Sequence, residues 1–120
     1  MYAQITYFDG PRSPELIAAA DRAGRDRVMP AVLADPQLAA ELVATYVLHQ
    51  PDGSQAVILI STTTAALART REVIMSTELL PGEDEALLPG PDRVEQYTVI
   101  HATEHGHATE HDDFTAEAVS

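Results

Sequence analysis

Val43-Ala44-Thr45-Tyr46-Val47-Leu48-His49-Gln50, then Pro51-Asp52-Gly53, then Ser54-Gln55-Ala56-Val57-Ile58-Leu59-Ile60-Ser61 is the stretch that decides the fold. Two runs rich in β-branched and aliphatic residues flank a three-residue turn. Pro presets φ, Asp bonds its own backbone and Gly accepts positive φ, so the stretch predicts a β-hairpin.

Outward from the hairpin, Tyr2 to Phe8 alternates Tyr2, Gln4, Thr6 and Phe8 against Ala3, Ile5 and Tyr7. A period of two among β-formers predicts a strand, ended by Asp9-Gly10-Pro11. Ser13-Pro14-Glu15 then opens a helix, with Ser as N-cap, Pro in the first turn and Glu against the positive end of the dipole. Leu16, Ile17, Ala20, Ala23, Gly24 and Val28 recur at three and four and predict its inward stripe, with Gly24 allowing close approach to the sheet. Pro30 cannot donate to the Asp26 carbonyl, so a kink or restart is expected there, with a stop at Asp35-Pro36. A short helical turn over Leu38 to Leu42 leads into the hairpin.

Beyond the hairpin, the hydroxyl run Ser61 to Thr64 caps a second helix over about Ala65 to Glu78, with Ala66, Leu67, Thr70, Val73, Ile74 and Thr77 facing inward. The acidic, Pro- and Gly-rich run from Gly82 to Asp92 reads as a long loop, and Arg93 to His101 alternates as a last strand. From Ala102 to Ser120 the chain lacks an apolar period and carries a near-duplicate, His101-Ala102-Thr103-Glu104-His105 and His107-Ala108-Thr109-Glu110-His111.

Composition bounds the function. The net charge is −12 and all seven basic residues are arginine, which argues against nucleic acid and against an anionic membrane surface. With no cysteine, disulfides, thiolate catalysis and zinc–thiolate sites are excluded. No long apolar run and no basic leader is present, so a cytoplasmic protein is expected.

The order strand, helix, hairpin, helix, strand predicts an α+β domain over residues 1–101. Its plan is a ferredoxin-like βαββαβ, with a four-stranded antiparallel sheet, the first strand central and two helices on one face. The second face of that sheet must carry Val43, Val47, Val57 and Leu59, or their alternates. Such a face is too apolar to stay wet, and a two-fold homodimer is the economical cover. Residues 102–120 form an acidic, His-rich tail, expected to be solvated or to cross onto the partner.

This layout, with Tyr-Val-Leu-His-Gln-Pro-Asp-Gly-Ser (46–54) before a second apolar strand and a Thr-capped helix, resembles the dimeric α/β-barrel superfamily, within it the antibiotic-biosynthesis-monooxygenase-like branch. The resemblance implies two sheets packed face to face and a pocket between each sheet and its helices. It further implies a small-molecule enzyme, with a cofactor-independent monooxygenase on an aromatic or hydrophobic substrate among the activities. The alternative is a non-catalytic ligand-binding or dimerisation module of the same fold. The cofactor-free oxygenases and haem-degrading members use Asn and Trp in their pockets; this chain has neither residue, so those catalytic sets do not carry over.

Candidate site residues are the polar-tipped side chains on strands. His49 can serve as a general base near neutral pH, with Tyr46 as its companion candidate for catalysis. Tyr7, Tyr46 and Tyr97 can hold an aromatic ligand by stacking and hydrogen bonds. Strict alternation separates His49 from Tyr46, so Tyr46 groups with Tyr7 and His49 with the dimer seam. No cofactor is expected. In the tail, His101, His105, His107 and His111 offer imidazole ligands for a metal at i, i+4 spacing, against a solvated tail with only opportunistic affinity.

Overall fold

The structure is a computed structural model and describes residues 1–105. Strand β1 (Tyr2–Phe8) leads to helix α1 (Pro14–Ala23), a wide helical turn (Gly24–Val28), α2 (Met29–Ala34) and α3 (Pro36–Glu41). The hairpin β2 (Leu42–His49) and β3 (Gln55–Ser61) follows, then α4 (Thr64–Ser76), a short 3-10 turn (Glu85–Leu87) and β4 (Arg93–Thr98). All pairings are antiparallel and the sheet order is β2-β3-β1-β4, with β1 central as expected. This is an α+β arrangement compatible with the ferredoxin-like plan.

Local chemistry accounts for the elements. The Ser13 and Thr63 hydroxyls accept from the backbone N–H groups of Leu16 and Ala66, as N-caps of α1 and α4. Ahead of Pro30 the helix widens rather than breaks. Met29 N–H reaches back five residues to the Gly24 carbonyl, and α2 restarts from there. Gly24 therefore makes no close approach to the sheet: a Cβ built on it meets nothing within 4 Å. Its value is to the widened turn, not to packing. The last strand ends at Thr98 rather than His101.

The hairpin tip is anchored. Gly53 has φ +89 and its N–H donates to the Gln50 carbonyl at 2.9 Å, while Arg12 N–H donates to Asp52 O at 2.8 Å. A Cβ on Gly53 would sit 2.8 Å from the Arg12 carbonyl oxygen. Gly53→Ala therefore meets both left-handed strain and a backbone clash, and should cost about 2 kcal/mol or more by urea denaturation.

Most of the fully buried apolar side chains lie between helices. Val32, Leu38, Ala66 and Val73 form one cluster, with Val28, Ala31, Leu42 and Ile74 against it. Asp35 sits at its edge, capping α3 through Leu38 N–H and accepting from Arg69 at 2.7 Å. The Arg69 guanidinium holds the Asp35 carboxyl below its ordinary range, with the Leu38 N–H assisting. Glu83 is likewise held low, by the Leu80 N–H and by Arg27. A depressed folded pKa gives stability that is fully present above the unfolded value and lost as pH falls through the folded one. With ordinary values of 3.8 and 4.5 for these groups, Tm should be flat above about pH 5 and fall increasingly steeply below about pH 4. A thermal-melt series across that range is the check. No helix among the described residues is long and apolar enough to cross a membrane.

Candidate functional site

Directly opposed residues of an antiparallel pair point to the same side of the sheet, so the register sorts each strand residue onto one of two faces. Tyr2, Gln4 and Thr6 share a face with Val57, Leu59 and Ser61 of β3 and with Val94, Gln96 and Thr98 of β4. Ala3, Ile5 and Tyr7 share the other with Ala56, Ile58 and Ile60, with Ala44, Tyr46 and Leu48, and with Tyr97. The helices lie over the first face. Leu59 and Ser61 are buried there, and Thr64 and Leu67 of α4 meet Tyr2, Gln96 and Thr98 across a cleft of about 230 Å³.

The polarity of the two sides is inverted on β1, while on β4 the open side carries Arg93 and Glu95. On β1, the side covered by helices carries Tyr2, Gln4 and Thr6, while the open side carries Ala3, Ile5 and Tyr7. Burying amides and hydroxyls is unfavourable unless something uses them, and leaving Ile and Leu in water is unfavourable unless something covers them.

The cleft's polar lining is uncharged. Gln96 donates its Nε2 to Gln4 Oε1 at 2.9 Å, which leaves the Gln96 carbonyl oxygen for a ligand in the cleft. Tyr2 and Thr98, paired across β1 and β4, bring a phenol and a hydroxyl to the same end, with Thr64 at the start of α4. Leu67, almost fully buried, forms the apolar floor. The set can hold a neutral molecule through several hydrogen bonds. Alternation alone marked Tyr2, Gln4, Gln96 and Thr98 as one side of their strands, but which side the helices would take was not written in it.

By register the three tyrosines singled out from the sequence lie on the open face, and of them Tyr97 also borders the cleft. The Arg93 guanidinium stacks over the Tyr7 ring at 3.9 Å, and the Tyr97 hydroxyl donates to Glu95 at 2.7 Å. That hydrogen bond to a carboxylate raises the Tyr97 pKa above its usual value. Tyr46 is half-exposed two strands away, opposite Ile58. Tyr46 and Tyr7 share a face, as expected, but it is the face away from the cleft.

His49 is placed the other way round from its expected seat at the dimer seam. It pairs with Gln55 on the helix side, with Nε2 2.9 Å from Gln55 Oε1, and it is exposed. Thr45, Val47 and His49 keep the expected alternation and share a side with Val57 and Leu59, and it is that side which the helices cover; a bulge at Val43 separates Leu42 from this phase. His49 also lies at the far corner of the sheet from Tyr2, about 20 Å along the strands, so the two do not act on one small molecule.

A smaller cavity, of about 60 Å³, lies under the loop between α4 and β4, lined by Arg22, Glu83 and Leu88 among others. Beside it, Glu83 accepts from Arg27 Nε at 2.8 Å and from Leu80 N–H at 2.7 Å, and Arg27 donates onward to Thr77 at 2.6 Å. The Glu83 side chain is 2% exposed and its second oxygen has no protein partner. The space beside it fits a bridging water.

Among the described residues no three His, Asp or Glu side chains are grouped to hold a metal. His101 and His105 are exposed, and His107 and His111 lie outside the described residues. Compared with known proteins, the chain matches no protein-family model and no curated protein.

Proposed function

We propose that the protein is a homodimer that binds a small neutral molecule in the cleft between its sheet and α4, two copies covering each other's open sheet face in the manner of a dimeric α/β barrel. The observation that carries this reading is the sorting of the strand residues: Tyr2, Gln96 and Thr98 line the cleft beside α4, while Ala3, Ile5, Ile58 and Ile60 lie on the side that no helix covers. The four strands, about 4.8 Å apart and about seven residues long, present a footprint of roughly 400 Å² in projection. That is the size of the largest patch on an ordinary monomer, about 300–600 Å², before the charged Arg93 and Glu95 at its β4 border are set aside.

The ligand class follows from the lining. Amide and hydroxyl groups over a leucine floor suit an uncharged ring with hydrogen-bonding substituents, such as a hydroquinone, better than a carboxylate or an amine. The cleft's lining carries no carboxylate, imidazole or guanidinium, so the reading favours binding over turnover, with the phenols of Tyr2 and Tyr97 the titratable groups among its lining residues. The oxygenase activity suggested by the family resemblance is the alternative arm of the same test.

Hydroquinones and anthrones should raise Tm in the wild type and fail to do so in Gln96→Leu, whose basal Tm should shift little because Gln96 is exposed. Oxygen consumption in the same mixtures separates an oxygenase from a binder. A panel that moves neither Tm nor oxygen would remove the cleft as a site for this class.

A further inference from the structure

The two edges of the sheet differ in a way that the face-to-face dimer does not use. The β4 edge carries Arg93 and Glu95, charges of the kind that keep strand edges apart. The β2 edge, Leu42–His49, is eight residues long and holds no Asp, Glu, Arg or Pro. Its apolar side chains are exposed on both sides of the sheet. Tyr46 (55%) and Leu48 (48%) point to the open face, and Val47 (56%) points to the helix side. A partner covering only the open face would leave Val47 in water.

We infer that β2 is a second self-association surface, where the β2 strands of two copies pair antiparallel across a two-fold axis and join the sheets edge to edge. Three features of the chain select a second copy. Antiparallel pairing of identical strands is self-complementary, since each offers the same outward N–H and C=O groups to the other. Same-face registers centred on Thr45, Tyr46 or Val47 oppose only uncharged or imidazole side chains, which matters for a chain of net charge −12 whose copies repel elsewhere. Third, the apolar edge is continuous with the open face through Tyr46 and Leu48, so edge pairing extends the patch that the proposed dimer covers. With both contacts made and their two-fold axes crossing at right angles, the particle closes at four copies.

Sedimentation velocity on the full chain, from micromolar to sub-millimolar concentration, tests this with two variants. Val47→Lys places a charge on the edge while leaving the open face alone, and Ile58→Asp does the reverse. The wild type should sediment as four copies, each variant as two and the double variant as one, with unchanged far-ultraviolet circular dichroism. Val43→Lys, at the exposed bulge, should repeat the Val47→Lys result if the edge is the surface. A wild type of two copies that only Ile58→Asp dissociates would overturn edge pairing and leave the face-to-face dimer standing. Halving by Val47→Lys alone would support the edge and overturn the face. Open-ended growth with concentration, suppressed by a charge reversal on β4, would mean β2 joins β4 head to tail, which overturns the two-fold pairing.

Discussion

Ile58→Asp should weaken the face-to-face contact by at least about a thousandfold, about 4 kcal/mol, while leaving the subunit folded. Ile58 lies on β3, second from the edge, flanked by Ile5 and Tyr46 on the open side. A two-fold contact brings every substitution in twice, so two carboxylates would be stripped of water. The folded subunit has little reason to fail, because the buried apolar cluster lies among α2, α3 and α4 on the opposite side. Concentration-dependent sedimentation together with a circular dichroism melt reads both halves of the prediction. An unchanged association constant in a well-folded Ile58→Asp protein would mean that this side of the sheet is not covered by a second copy.

Arg27→Met should lower Tm by on the order of 10 °C, since breaking a buried ion pair from one side strands the other charge. Arg27 and Glu83 are 12% and 2% exposed, and they tie the wide turn after α1 to the loop that follows α4. Thr77, just past α4, takes the third arm of the guanidinium's network. Glu83→Gln should be milder, because an amide still accepts from Leu80 N–H and is not a stranded charge. The double variant Arg27→Met, Glu83→Leu should recover a large part of the loss, since replacing a buried pair by apolar groups is often close to neutral. Three thermal melts and a double-mutant cycle decide it. If the single and double variants fall equally, the packing of the arginine stem rather than its charge holds the loop down.

Much of the fold was legible because its signals are local. The Pro-Asp-Gly turn needs positive φ at Gly53 and has it, and the Ser13 and Thr63 caps were written in the residues that make them. Pro30 announced a disturbed helix, though only the backbone shows that a widened turn absorbs it. The site was far less legible. Tyr7, Tyr46 and Tyr97 draw attention as aromatic residues with polar tips, yet only Tyr97 borders the cleft. The residues that line it, such as Gln96 and Thr98, look like an ordinary polar side of an edge strand. His49 shows why alternation could not settle the matter: it stays in phase with Thr45 and Val47 as expected, but alternation does not say which side of a strand the helices will cover.

From the chain alone come the elements, their order, the central place of β1 and the fact that one side of the sheet is rich in isoleucine and alanine. These depend on backbone preferences and on spacing within a few residues, which any reader of the sequence can apply. Which side receives the helices was decided only in three dimensions, by where Leu67, Leu59 and the α2–α3–α4 cluster find mutual burial. That choice, made by contacts between residues distant in sequence, sets Tyr2, Gln96 and Thr98 beside α4 and leaves Ile5, Ile58 and Ile60 on the side without helices.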